Sequence, residues 1–152
     1  MANSRTYSFG DVQAAITGPG GTFSLSTGGV TNEGLTLSFN ERVTTVWGAD
    51  GEWMHSLHVA KGGSIVLRYL KTSPTNAFLS SMFNFDSLSS ANTGQNVISL
   101  SDPARGDNWI AQGCAFTKPA DVNYGTEGGV IEWRFSCGQL DGVYGIGQPA
   151  LD

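Results

Sequence analysis

Charge is scarce in this chain, and basic charge scarcer still. Among 152 residues there are eight Lys or Arg against 13 Asp or Glu, a formal net charge of −5. Those eight, Arg5, Arg42, Lys61, Arg68, Lys71, Arg105, Lys118 and Arg134, are scattered with no run among them. A nucleic-acid-binding surface needs clustered Lys and Arg to displace phosphate counterions, so the composition argues against that class. No apolar stretch approaches the roughly 20 residues of a membrane-spanning helix, and no membrane partner is expected. The opening Met-Ala-Asn-Ser-Arg lacks the apolar core of a secretory signal, which predicts a protein retained in the cytoplasm where it is made. Cysteine is limited to Cys114 and Cys137, half the ligands of a structural zinc site. In a reducing compartment the two are expected as small buried thiols, with a disulfide as the alternative. His55 and His58 lie three apart on a predicted strand and so point to opposite faces, where they cannot share a metal without a bulge. Neither a metal nor a cofactor is expected.

What the chain has in quantity is glycine, 21 residues of it, together with Ser and Thr in short alternating runs. That composition suits a mainly β single domain over residues 1–152, long enough to bury a sizeable core. The expected architecture is a β-sandwich or barrel of antiparallel strands and hairpins with one flanking α-helix at about 74–86. The centre of the pattern is Val43 to Phe85. Val43–Trp47 and Glu52–Ala60 read as strands about a Gly48-Ala-Asp-Gly51 turn, and Ser64–Leu70 reads as a third after Lys61-Gly-Gly63. This predicts a three-stranded meander running into the helix. Pro74 suits the first helical position, with Ser73 or Thr72 as its cap. In the third strand Ile65, Leu67 and Tyr69 share one face and Val66 and Leu70 the other, so both faces should be covered, within the domain or by another subunit.

Around this centre, Asp11–Thr17 and Thr22–Ser26 form a hairpin signal across Gly18-Pro-Gly-Gly21, with Val12, Ala14, Ile16, Phe23 and Leu25 inward. Gly28–Gly34 reads as a loop and Leu35–Phe39 as a strand. The helix carries an apolar stripe of Ala77, Phe78, Met82 and Phe85, the mark of a core-facing helix. Ser87–Gln95 reads as a mobile loop, Asn96–Ser101 as a strand, and Asn108–Thr117 as a strand whose Ile110, Cys114 and Phe116 share a face. Ile131, Trp133, Phe135 and Cys137 alternate with Glu132, Arg134 and Ser136 in the clearest half-buried strand. Gly138–Asp152 shows no periodicity and reads as a glycine-rich flexible tail, matching a flexible N-terminal arm.

Catalytic signals are weak. No Ser-His-Asp or Cys-His order is present, and Gly18-Pro-Gly-Gly21 lies in a hairpin where a phosphate loop would precede a helix. Asp50 with Glu52, Asp102 with Asp107, and Glu127 with Glu132 are formal carboxylate pairs for glycoside hydrolysis. Most of these lie in turns, where acidic residues are ordinarily solvated, so no catalytic residues are assigned. Arg105-Gly-Asp107 is read as turn chemistry. Trp47, Trp53 and Trp109 could stack sugars, which keeps a carbohydrate-binding β-sandwich as the alternative function, whereas Trp133 belongs to the core.

Several segments in order along the chain resemble a family of small structural proteins from bacteriophages with contractile tails. They are Thr6-Tyr-Ser-Phe-Gly-Asp-Val-Gln13, Gly48-Ala-Asp-Gly51 with Met54-His-Ser-Leu-His58, and Leu70-Lys-Thr-Ser-Pro74. Gly94-Gln-Asn-Val-Ile98, Pro103-Ala-Arg-Gly-Asp107, and Glu127-Gly-Gly129 with Glu132-Trp133 extend the match over nearly the whole length. The resemblance implies a tail-tube subunit, with size and β-rich pattern favouring the tube over another tail component. It further implies six-membered rings stacked into a hollow tube, partnered by itself and by tail sheath, baseplate and tail terminator proteins. Such a protein is made in the bacterial host cytoplasm and resides in the virion tail. DNA passes through without specific binding, which accords with few cations, since each phosphate contact would retard a polyanion. Lumen-lining candidates are Thr44, Thr45, Asp50 and Glu52. Glu132 and Arg134 are candidates for the lumen or a subunit contact. Val30–Gly34, Ser87–Gln95, Gly138–Asp152 and the N-terminal arm are candidates for ordering when rings stack.

Overall fold

The computed structural model describes residues 6–147. After a 3-10 turn at Phe9–Asp11 come β1 (Gln13–Gly18), β2 (Gly21–Ser24), β3 (Val30–Phe39), β4 (Val43–Trp47), β5 (Trp53–Leu57) and β6 (Gly63–Leu70). The helix α1 (Thr75–Asp86) follows, then β7 (Asn96–Asp102), β8 (Asp107–Phe116) and β9 (Val130–Val143). Among the described residues, seven strands form one antiparallel sheet in the order β2-β1-β7-β8-β9-β6-β3, strongly curled into a half-barrel, and β4 and β5 pair only with each other. Among the described residues no helix is long and apolar enough to cross a membrane.

The inner face of the curl holds the core. Ile16 of β1, Ile65, Leu67 and Tyr69 of β6, Ile98 of β7, and Trp133 and Phe135 of β9 all point into it, with Leu79 and Met82 of α1 closing the other side. The Tyr69 hydroxyl, at the centre, donates to the Leu25 carbonyl at 2.6 Å, so the one polar atom of that ring is satisfied. The β1–β2 hairpin, the β4–β5 hairpin and the alternation of Trp133, Phe135 and Cys137 match the sequence expectations.

Four expectations are corrected. The central meander does not form: β5 has no contact in register with β6, which instead lies between β3 and β9. The strand with apolar residues on both faces takes an interior place in the sheet, where Val66 is covered on the outer face, while Leu70 at the strand end stays half exposed. The helix buries Thr75, Leu79, Met82 and Asp86, spaced four, three and four apart, so Ala77, Phe78 and Phe85 are turned outward. Asp86 can sit on the buried side because the Asn96 amide donates to its Oδ2 at 2.7 Å. Phe78 lies flat on Phe23 of β2 at the margin, with ring centroids 4.8 Å apart.

The third correction concerns β8 and β9. In both strands the buried residues jump by three, Ala111 to Cys114 and Cys137 to Leu140, with Gln112-Gly113 and Gly138-Gln139 exposed between them. Gly113 has φ +65°, which side-chain-bearing residues avoid, and the inside-outside alternation changes phase there in both strands together. Ile110 is therefore half exposed and does not share a face with Cys114. The fourth is that the supposed aperiodic tail continues β9 to Val143, with Leu140 buried at the core edge. Likewise Val30–Gly34 belongs to β3, broken by an irregular register between Val30 and Leu35. The 87–95 loop is held by hydrogen bonds, Thr93 Oγ1 donating to Asp86 O at 2.9 Å and Asn92 N–H to Ser89 O at 3.2 Å. Residues 1–5 of the N-terminal arm and 148–152 of the tail lie outside the described residues.

Candidate self-association surfaces

Among the described residues, the β4–β5 ribbon is an apolar element with no core beneath it. Cross-strand pairs put Val43 opposite Leu57, Thr45 opposite His55 and Trp47 opposite Trp53 on one face, with Thr44 opposite Ser56 and Val46 opposite Met54 on the other. Trp47 is 69% exposed, Trp53 63% and Leu57 72%, and Val46 and Met54 are likewise exposed behind them. An apolar residue alone on a surface is unremarkable, but a contiguous group on a projecting hairpin marks a contact site. Hydrogen bonds close the ribbon at its base. The His58 N–H donates to Arg42 O at 2.8 Å, Arg42 Nε returns a bond to His58 O at 3.0 Å, and the Asn40 N–H donates to Gly62 O at 3.1 Å. Its tip is closed by Gly51 at φ +91°, with Asp50 Oδ1 accepting the Glu52 N–H at 3.1 Å.

The four lumen candidates are thus separated within the ribbon. Thr44 and Thr45 lie on opposite faces, paired with histidines: Thr45 Oγ1 is 2.7 Å from His55 Nδ1 and Thr44 Oγ1 is 3.3 Å from His58 Nε2. Asp50 and Glu52 stand exposed in and beside the turn.

A second surface lies on the outer face of the sheet. Glu132 and Arg134 of β9 are joined at 3.0 Å, and Arg68 of β6 bridges Glu132 at 3.8 Å to Glu33 of β3 at 3.2 Å. Arg68 also donates to Thr36 Oγ1 at 2.9 Å. The chain Glu33–Arg68–Glu132–Arg134 crosses three strands with two cations and two carboxylates, so it has no net charge. Sequence reading identified Glu132 and Arg134 but missed Arg68 and Glu33, since only the β3-β6-β9 order brings them together.

A third feature is a buried ion pair at the sheet corner. Arg105 meets Asp102 at 2.8 Å and Asp11 at 3.4 Å, donates to Thr6 O, and lies 4.9 Å over the Tyr7 ring, which ties the first described residues to the β7–β8 turn. The Arg-Gly-Asp turn is therefore structural. Asp107 accepts the Gly145 N–H at 2.8 Å, so both members of the Asp102–Asp107 pair are engaged in holding the fold. Trp109 packs on Tyr144 and Phe39, with centroids at 4.8 and 5.7 Å, apart from the exposed Trp47 and Trp53. The sheet also ends in two edges, β2 on one side and β3 on the other.

The fold is similar to that of solved components of contractile injection systems. One is an anti-feeding prophage cap, described as a tube-terminating cap, at 12% identity and TM-score 0.56, with 95% of each chain covered. Another is the sheath/tube terminator of an extracellular contractile injection system, at 16% identity and TM-score 0.57, covering 93% of this chain and 99% of that one. A chain of the anti-feeding prophage baseplate is similar at 13% identity and TM-score 0.57, with 96% and 99% covered. No curated protein matches the chain. The family described as bacteriophage PhiTE tail tube protein matches residues 4–145. The chain thus belongs to the bacteriophage PhiTE tail tube protein family, and is a structural protein of a phage tail.

Proposed function

We propose that the protein is the repeating subunit of the tail tube, assembling into closed, six-membered rings that stack about a bore for DNA. The observation that carries this reading is the exposed apolar ribbon, closed at its base by backbone hydrogen bonds and, among the described residues, without a core of its own. In a closed ring each subunit must offer two different surfaces that fit each other, and the ribbon together with the β2 and β3 edges supplies such margins. The apolar faces of the ribbon dock on another copy, and its acidic turn, Asp50 and Glu52, emerges toward the bore with Thr44 and Thr45 behind it. The self-neutralised outer face at Glu132 and Arg134 serves the bore wall or the neighbouring contact. It sets each guanidinium beside a carboxylate, which weakens the pull of that face on a phosphate. Sheath, baseplate and terminator proteins are the expected partners, with assembly in the bacterial host cytoplasm.

The tests are electron microscopy of the purified wild-type protein and of a charge-reversed Asp50→Lys, Glu52→Lys variant, and the rate of DNA delivery by phage particles built with each. Rings or tubes from both proteins, with slowed DNA delivery only in the variant, support the reading. Discrete small particles at every concentration overturn the assembly, and unaltered DNA delivery overturns the placement of the ribbon tip. The exposed Trp47–Trp53 pair favours one competing use, a carbohydrate platform, which predicts a monomer whose tryptophan fluorescence responds to glycans.

A further inference from the structure

Cys114 of β8 and Cys137 of β9 face each other directly in the ladder, with Sγ atoms 3.2 Å apart and both side chains buried as free thiols. Their kind of pairing follows from the hydrogen bonds. The Thr117 N–H donates to Arg134 O directly opposite it, at 3.2 Å, which makes that a hydrogen-bonded pair. Stepping back one residue at a time through Phe116–Phe135 and Ala115–Ser136 puts Cys114–Cys137 at a non-hydrogen-bonded position. Such positions bring Cα atoms to about 4.5 Å, inside the roughly 4.4–6.8 Å that a disulfide spans. The pair also adjoins Gly113 and Gly138, where the two strands change phase and the sheet bends.

We propose that Cys114 and Cys137 are a covalent modification site, closing into a cross-strand disulfide by exchange with a small-molecule disulfide. In the first step the Cys137 thiolate attacks one sulfur of that disulfide, forming a mixed disulfide and releasing one small thiolate. In the second the Cys114 thiol gives up its proton and attacks Cys137 Sγ, releasing the other small thiolate. The protein loses two electrons and two protons, and the reagent is reduced to two thiols. Two features suit Cys137 to the first attack. It is the less occluded of the pair, at 4% exposure against 0% for Cys114. Its thiol is also held below the ordinary range because the Cys114 S–H hydrogen-bonds to it, whereas Cys114 is pushed up by that bond and by burial. The cross-link would pin the bend of β8 and β9 and enclose the exposed 117–129 segment in a short covalent loop.

The experiment incubates the full-length wild-type protein with oxidised glutathione, followed by intact mass and peptide mapping. Expected is a mass lower by two hydrogens, a single peptide joining Cys114 to Cys137, and a rise in melting temperature that dithiothreitol reverses. Recovery of both thiols as alkylated cysteines after unfolding overturns the proposal. So does a stable glutathione adduct on either residue without closure, or a link between two molecules. A Cys114→Ser variant is expected to stop at the mixed disulfide on Cys137, and the wild-type result stands whether or not that variant folds.

Discussion

Replacing the two ribbon tryptophans should uncouple assembly from folding. Trp47 is 69% exposed and Trp53 63%, and they form one cross-strand pair on the face shared with Val43 and Leu57. An aromatic side chain buries roughly 150–250 Å², so about two thirds of that, some ~130 Å², is still open on each ring. At about 25 cal/mol per Å², covering it in a contact contributes roughly 3 kcal/mol per tryptophan. That is about a hundredfold in association constant for each, before any ordering cost is subtracted. Trp47→Thr, Trp53→Thr keeps strand-forming residues at both positions. The isolated subunit loses only the pair contact, of the order of 0.2–1 kcal/mol. The assay is sedimentation velocity over a concentration series, with thermal melting of the dilute protein alongside. Expected is a critical concentration for assembly raised at least a hundredfold with a melting temperature within a few degrees of wild type. A variant that assembles at the wild-type concentration would refute the reasoning, because the ribbon would then lie outside every subunit contact.

Three further outcomes test the fold. Among the described residues Asp86 Oδ1 is buried without a partner, and Asn96→Ala removes the 2.7 Å hydrogen bond to Oδ2 as well, leaving both carboxylate oxygens unpaired at the helix end. A loss of about 2–3 kcal/mol in urea unfolding is expected, and a loss under ~0.5 kcal/mol would show that solvent reaches Asp86. Leu79→Ala, at a fully buried position against the sheet, should cost roughly 2–5 kcal/mol in the same measurement, whereas Phe78→Ala at the margin should cost clearly less. Burial raises the Tyr69 phenol well above its ordinary range, so the folded state holds the proton that the unfolded chain releases near pH ~10. Its contribution to stability is therefore complete below that value and is lost as pH rises beyond it. Tyr69→Phe should flatten this alkaline decline in stability, and an unchanged slope would contradict it.

Short-range features of this fold are visible in the residues, and long-range ones are not. Gly18-Pro-Gly-Gly21 and Asp50-Gly51 announce their hairpins because a tight turn needs those residue types locally. Trp133, Phe135 and Cys137 announce a core face because alternation is a property of one strand. The place of β6 between β3 and β9 depends on partners some 30 and 70 positions away in sequence, which no local pattern encodes. Phase changes at Gly113 and Gly138 look like ordinary glycines in a glycine-rich chain until the two strands are set side by side. The two rings of Phe78 and Phe85 suggest a helix face through themselves, yet the geometry of the curl selects Leu79 and Met82. For the candidate surfaces, composition pointed to a non-adhesive acidic protein and to Glu132 and Arg134. Arg68 and Glu33 complete that network only through the sheet order. The ribbon was legible as a hairpin, but its exposure was not, since Trp and Met in a strand ordinarily indicate a core.

The central claim is that the β4–β5 ribbon is covered by another copy of the chain. A cryo-electron microscopy map of the assembled protein tests it most directly. The account predicts Trp47, Trp53 and Leu57 of each subunit seated against a neighbouring subunit, with water excluded from between them. Assemblies in which these three side chains face open solvent would contradict it.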